Sequence, residues 1–285
     1  MSFVSAKVIE DSYFGEFNQS FDNQGYMRRL ITLQLKYPRF IHAEFMTHRM
    51  FSRNASSSRA IPVHKVIEQV RNDPAMPNHW GLNQAGMQAD KEVEQQVKER
   101  AIACWKQASV QAATIAEQMM KDGLHKQVAN RLLEPFQYMH VVVTATEWNN
   151  FFELRDHDDA EPNIHDLAIA MKEAIQLSEP RNRYGEKQNM SAWHLPYVSD
   201  FERKVLNVDT AIKASVARCA RVSYVNHDGS QPDIEKDLAL YDRLVGSKPA
   251  HASPTEHQAM PNYNYSNFFF YNLMGWLSHR YYLEN

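Results

Sequence analysis

The sequence predicts an α+β protein, a sheet flanked by long helices, and three observations carry that expectation. Residues 29–35 alternate, with Ile31, Leu33 and Leu35 on one side and Leu30, Thr32 and Gln34 on the other. That pattern suits a strand with one apolar face. Residues 140–146 (HVVVTAT) are β-branched and apolar, as in a buried strand. Residues 89–121 repeat Val93, Val97, Ala101, Trp105, Ala108, Ala112 and Ile115 at helical steps, and Gly123 ends the run.

The remaining elements follow in order. Pro38 interrupts the first strand, and residues 40–46 read as a helix start or a second strand. Residues 47–59 hold four serines, an asparagine, a histidine and three arginines, so they read as a cationic, donor-rich loop. Residues 62–70 suit a short helix, and 72–88 an irregular connection punctuated by Pro74, Pro77, Gly81 and Gly86. Helices are expected at 126–133, stopped by Pro135, and at 148–154, 163–177, 210–224 and 234–245. A long connection is expected at 178–205, a turn at 227–232, a polar stretch at 251–257 and an aromatic-rich end at 268–283. A short echo relates residues 45–49 (FMTHR) to 276–280 (WLSHR), too brief to make a repeat.

Composition narrows the classes. The chain has 285 residues, 44% hydrophobic and 23% charged, with a formal net charge of −3. A chain of this size buries roughly three quarters of its unfolded surface and needs no staple. The charge argues against a strongly basic nucleic-acid binder and leaves a local basic pocket open. Two cysteines, Cys104 and Cys219, exclude a disulfide scaffold and any all-cysteine metal centre. The beginning lacks a secretory pattern, and the longest apolar runs fall short of a membrane span. A cytoplasmic protein with no membrane partner is expected.

Several constellations could carry chemistry. The cationic loop offers Arg forks and serine hydroxyls suited to a phosphate or another anion, or it is a solvated loop. Arg131 and Arg155 are helix-borne arginines that take on meaning only beside that loop. His157-Asp158 raises a metal phosphohydrolase, but the acidic turn around it reads more simply as a helix N-terminus. His251 and His257 flank Ser253 and Glu256 without a clear third metal ligand, so no metal is expected. Cys104, in an apolar helical context, is expected to be buried and inert, and the arginines beside Cys219 are thin support for a reactive thiol.

His48-Arg49, Ser52, Asn54, Ser57 and Arg59 resemble, in order and spacing, the signature loop of flavin-dependent thymidylate synthases. His251-Ala252-Ser253-Pro254-Thr255-Glu256-His257 is similar to the family's His-Thr-Ser-Pro-Phe-Glu-His stretch, and Ala220-Arg221-Val222-Ser223-Tyr224 to its Ala-Arg-Val-Ser-Tyr stretch. Residues 131–135 and 150–155 resemble its nucleotide-binding half. The last two stretches precede the signature in the family and follow it here, so the chain resembles a circularly permuted member, as some phage-encoded members do. Thr47 stands where the signature has Arg, Ala55 where it has Glu, and Ala160-Glu161 where the family has Ala-Gln. The family's Asn-Leu-Arg stretch is not evident around Thr144–Thr146.

The resemblance implies one catalytic domain over 1–285, with a helical insertion at 64–125 and a permuted segment at 205–285. It implies an FAD-dependent enzyme that moves a one-carbon unit from methylenetetrahydrofolate to C5 of dUMP, with NADPH as reductant. Arg59, Ser57, Arg131 and Arg155 would hold the nucleotide, and Arg155, Arg59 and Ser57 would lie nearest the chemistry. His48, Arg49, Asn54, Asn150, Ser223, His251, Ser253 and Glu256 would contact FAD. A homotetramer in the cytoplasm, host cytoplasm for a phage protein, is implied, with no nucleic-acid partner. Ala55 and Glu161 motivate a variant that methylates or hydroxymethylates dUMP or dCMP. A single-stranded nucleic-acid module is the reading from a different class.

Overall fold

Residues 3–15, 28–57, 61–85, 91–222, 230–265 and 267–285 are described by the computed structural model. The chain runs β1 (Ser5–Phe14), β2 (Arg28–Pro38), α1 (His42–Phe45), β3 (Ser52–Ala55), α2 (Val63–Asn72), α3 (Gln95–Lys121), α4 (Lys126–Ala129) and β4 (Tyr138–Ala145). It continues with α5 (Asn149–Arg155), α6 (Pro162–Gln176), β5 (Arg181–Asn182), α7 (Asp200–Val205), α8 (Val208–Arg221) and α9 (Ile234–Val245). The end holds β6 (Ala259–Pro261), β7 (Phe269–Phe270), β8 (Leu273–Met274), β9 (Trp276–Ser278) and α10 (His279–Glu284). The main sheet has the order β3-β4-β2-β1-β5. All its pairs are antiparallel except β1 with β5.

Alternation sorts the two faces, as period two requires. Ile31, Leu33 and Leu35 of β2 join Val141, Val143 and Ala145 of β4 in one core, which Phe45, Phe151 and the buried side of α6 complete. Thr32 and Gln34 of β2, with Val142 and Thr144 of β4, lie on the other face. There Tyr197 and Cys219 pack on Val142, and Tyr197 donates to Gln34 Oε1 at 2.9 Å. The C-terminal half therefore covers the second face.

The expected strands and most expected helices are present, with corrections. Residues 52–55, read as loop, form the edge strand β3, because the exposed edge of β4 supplies backbone partners. β1 was not anticipated. The connection 178–205 contains β5 and α7, the latter closed by a Ser199/Glu202 capping box. Pro135 does not stop a helix but sits inside a 3-10 helix, Asn130–Phe136. α3 starts at Gln95, and its buried face is Ser109, Ala113 and Ala116. Val97 and Ile115, expected inside, are exposed, and so is Cys104. Small residues let α3 approach α2 and the 3-10 helix 130–136, against which it packs.

In the C-terminal half Arg218 is fully buried with Asp237. Its Nε donates to Asp237 Oδ2 at 2.8 Å, its Nη2 to Glu202 Oε1 at 2.6 Å, and its Nη1 to the Tyr197 carbonyl at 2.7 Å. This ties α7, α8 and α9 together. Breaking a buried pair from one side strands a charge, at about 3–5 kcal/mol. Arg218→Ala is expected to lose that much stability, read as a fall in the urea midpoint; an unchanged midpoint would contradict it.

Candidate active site

The turn between α1 and β3 is built by Arg53. Its Nη1 donates to the carbonyls of Phe45 at 3.4 Å, Met46 at 3.2 Å and His48 at 2.8 Å. These are carbonyls left open where a helix ends. Arg53 thus fixes the loop that carries His48 and the exposed Arg49. Burial lowers the Arg53 guanidinium somewhat, with Tyr37 and Glu256 pulling the other way.

His48 is 8% exposed, with the Phe151 ring 4.8 Å away edge-on. From the end of α5, Arg155 Nε donates to His48 Nε2 at 3.0 Å, and Arg155 Nη1 pairs with Glu44. An arginine N–H can only donate, so Nε2 accepts and the imidazole proton sits on Nδ1. Burial, then Arg155 and Arg53, hold the imidazole down at about 4, so it is neutral near pH 7. Arg155 Nη2 has no hydrogen-bond partner among the described residues and remains available to a ligand.

On the second face, Asn54 Nδ2 donates to the Cys219 carbonyl at 3.4 Å, and the 3-10 turn Ser253–Glu256 packs against β3 and α8. Arg280 Nη1 pairs with Glu256 Oε1 at 2.7 Å, and the Arg280 guanidinium lies 5.1 Å from the Tyr271 ring centre. The signature strand, the end of α8 and the Ser253–Glu256 turn, distant in sequence, therefore meet at one sheet edge.

The structure pairs His48 with Arg155 at the turn before β3 and sets Asn54 beside the Ser253–Glu256 turn on the other face of that strand, with the charges of Arg53 and Glu256 linking the two groups. Arg49 and Ser57 are exposed on either side of β3, and Asn150 is exposed in the first turn of α5. His251 is exposed ahead of the 3-10 turn, its N–H bonded to the Leu244 carbonyl at 2.9 Å. Arg131 is not brought to this cluster. It bonds Glu134 within its own 3-10 helix, and its side chain is 66% exposed. Arg59 and Ser223 lie outside the described residues. Glu161 does not line the site, because its carboxylate accepts from the N–H groups of Asn163 and Ile164 at the start of α6. Glu44, Arg53 and Arg280 were missed. Arg53 lay within the cationic loop and Arg280 closed the short echo of the signature, while Glu44 stands one helical turn ahead of the signature histidine.

Cys219 offers no activated nucleophile. It is buried, and burial pushes its thiol well up. Cys104 sits exposed on α3. His157 is on an exposed turn, 3.7 Å from Asp159. Among the described residues no three His, Cys, Asp or Glu side chains gather as metal ligands, and no helix is long and apolar enough to cross a membrane.

The fold and site define an α+β protein with a donor-rich cluster at the edge of a mainly antiparallel sheet. The family described as thymidylate synthase complementing protein matches residues 29–181, more than half of the chain, and the chain belongs to that family. The match spans β2 to the start of β5 and includes the signature turn and Arg155. Among solved structures, a UMP/dUMP methylase, PolB from Streptomyces cacaoi, bound with 5-Br UMP, is 15% identical. The likeness covers 61% of this chain and 89% of that one, with a TM-score of 0.49. Thymidylate synthase X from Helicobacter pylori with FAD and dUMP is 17% identical over 51% of this chain and 67% of that one, with a TM-score of 0.36. Among curated proteins none matches the sequence.

Proposed function

We propose that the chain is a flavin-dependent enzyme that transfers a one-carbon unit from methylenetetrahydrofolate to C5 of dUMP, giving dTMP. The observation that carries this reading is the meeting of the signature turn, Arg155 and the Ser253–Glu256 turn at the β3 edge. Family membership supports it independently.

The residues fit an anionic dinucleotide. Arg280 neutralises Glu256, the one carboxylate of the 251–257 stretch, and leaves Arg49, Asn54, His251 and Ser253 as a donor set of net positive charge. These residues, with His48 and Asn150, would hold FAD; Arg59 and Ser223 keep their assigned roles as part of the proposal. Bound and reduced, FAD supplies the hydride, with NADPH as its reductant, so no protein nucleophile is needed. The buried, high-pKa Cys219 agrees with that chemistry.

The protein's own part is placement and electrostatics. Ser57 and Arg59 would hold the nucleotide phosphate. Arg155, steadied by Glu44 and neutral His48, keeps its Nη2 edge for negative charge on the pyrimidine. Arg131, mostly exposed and separate from this cluster, supports a site completed by a second copy, within a homotetramer. The motif order supports a permuted chain in which 205–285 supplies what other members carry first. The variant acting on dCMP, or leaving a hydroxymethyl group, loses one of its two motivations, since Glu161 caps α6; Ala55 remains.

The purified protein, titrated with FAD and then dUMP, is expected to show a bound-flavin spectrum that shifts as dUMP is added. Incubation with methylenetetrahydrofolate and NADPH should yield dTMP by mass spectrometry. Protein that takes up no FAD would overturn the reading. A hydroxymethylated product, or turnover of dCMP alone, would replace dTMP formation with the variant reaction.

A further inference from the structure

The second face of the sheet carries a buried polar row that the proposed chemistry does not use. The registers place Glu10 opposite Thr32, Thr32 opposite Thr144, and Thr144 opposite Ser52 of the signature strand. Two imidazoles from the C-terminal half close over this row. Thr32 Oγ1 lies 2.6 Å from Thr144 Oγ1 and 2.8 Å from His194 Nε2. His194 Nδ1 lies 2.8 Å from Ser12 Oγ, and Thr144 Oγ1 lies 2.8 Å from His257 Nδ1. At the far end Arg183 Nε donates to Ser12 Oγ at 2.9 Å. Ser12, Thr32, Thr144, His194 and His257 are all fully buried.

Counting protons gives the row a direction. Arg183 can only donate, so Ser12 Oγ accepts from it. If Ser12 then donates to His194 Nδ1, His194 Nε2–H donates to Thr32, Thr32 to Thr144, and Thr144 to His257 Nδ1. One polar hydrogen is left over, on His257 Nε2, the atom with no partner among the described residues. Run the other way, the row strands both the Ser12 hydroxyl proton and a lone pair on His257. Each buried unmatched group costs about 1–3 kcal/mol, so the first direction holds.

We propose that this row is a tautomer lock: anchored at Arg183, it holds His257 as the neutral Nε2–H form and thereby seats the adjacent Ser253–Glu256 turn against β3. Arg183, Ser12, His194, Thr32 and Thr144 are then positioning residues for the ligand site. The inference that the lock serves ligand binding rests on the function proposed above. Its parts come from both halves of the chain: Ser12, Thr32 and Thr144 from the sheet, and Arg183, His194 and His257 from the segment laid over it. It registers one on the other with atoms that have defined donor and acceptor roles, as apolar packing does not.

Thr32 makes the sharp test, because it touches neither His257 nor the turn. Long-range proton–nitrogen correlation spectra of the full chain, labelled with 15N-histidine, report each imidazole's tautomer. His257 would be assigned by the signals lost in His257→Asn. The wild-type protein is expected to show His257 as a single Nε2–H tautomer without added ligand. Thr32→Val, which cuts the row from Arg183, is expected to give a mixture of tautomers at His257 and to weaken dUMP binding to the FAD-loaded protein about tenfold. Thr32→Ser should restore both. A wild-type Nδ1–H tautomer overturns the lock whether or not Thr32→Val folds. Unchanged tautomer and affinity in folded Thr32→Val overturns it too. A wild-type protein that binds neither FAD nor dUMP overturns the proposed function, while the wild-type spectrum still decides the lock.

Discussion

Lowering the pH from 7 to 5 is expected to cost the fold on the order of 5 kcal/mol, seen as a steep fall in the urea midpoint. Three buried histidines drive most of the loss, and half-buried His279, which burial chiefly holds at about 4, adds to it. Burial, then Arg155 and Arg53, hold His48 at about 4, and burial alone holds His257 at about 3. Burial, then Arg183, Arg203 and His257, hold His194 well below the ordinary value. The sign follows from proton counting. In the unfolded chain these imidazoles take up protons as pH falls through about 6.5, while in the native protein His48 stays neutral to about 4 and His257 to about 3, and burial keeps His194 neutral well past the ordinary value. The unfolded state binds more protons throughout that window, so native stability falls with falling pH, by about 1.4 kcal/mol per unit for each histidine. The slope is half its full size at about pH 6.5 and fades over roughly the next unit above it. Glu10 works the other way, since burial raises its carboxyl in spite of Arg203 and Arg183. A total stability of about 5–15 kcal/mol makes such a loss easy to see. A midpoint that stays flat between pH 7 and 5 would mean these imidazoles are protonated in the native protein.

The same residues explain what could be read from the sequence. β2 and β4 were legible because their apolar alternation and β-branched run report burial directly. β1 was not, because Glu10, Asp11 and Ser12 interrupt it. Those groups are buried through partners far along the chain: Arg183 for Glu10 and Ser12, and Arg29 for Asp11. A strand whose polarity is matched only by tertiary pairing leaves no local pattern. α3 failed in the opposite sense. Its larger apolar residues suggested a wide buried stripe, but close packing against α2 and the 3-10 helix 130–136 goes with a buried face of Ser109, Ala113 and Ala116 instead. The motif spacings picked out His48, Asn54, Ser253 and Glu256, which the fold places around β3. They did not reveal that Arg53 would tie down the signature turn, or that Arg280 would come from the chain's last helix to neutralise Glu256. Spacing within a motif records what a ligand requires; the groups that hold the motif in place come from wherever the fold delivers them.

Arg155→Ala is expected to lower the rate of dTMP formation by the flavin-loaded protein about 100- to 1000-fold, the usual loss when a group stabilising developing charge is removed. The geometry gives Arg155 two engagements and one open edge. Nε is committed to His48 and Nη1 to Glu44, so the guanidinium plane is set before any ligand arrives. That orientation is what makes Nη2 useful, because a preorganised donor needs no rearrangement as charge develops. Arg155→Lys keeps the charge but not the fork. A lysine that pairs with Glu44 has no second arm for His48 and none for the pyrimidine, so it should recover less than a tenth of the lost rate. A second readout separates the clamp from the chemistry. Arg155 is one of the causes holding His48 low, so in Arg155→Ala the His48 imidazole should titrate closer to its ordinary value, as histidine resonances followed through pH would show. Near-normal dTMP formation in a folded Arg155→Ala protein with a raised His48 would mean that Arg155 only braces the signature turn. The charge on the pyrimidine would then have to be met by another donor at the same sheet edge.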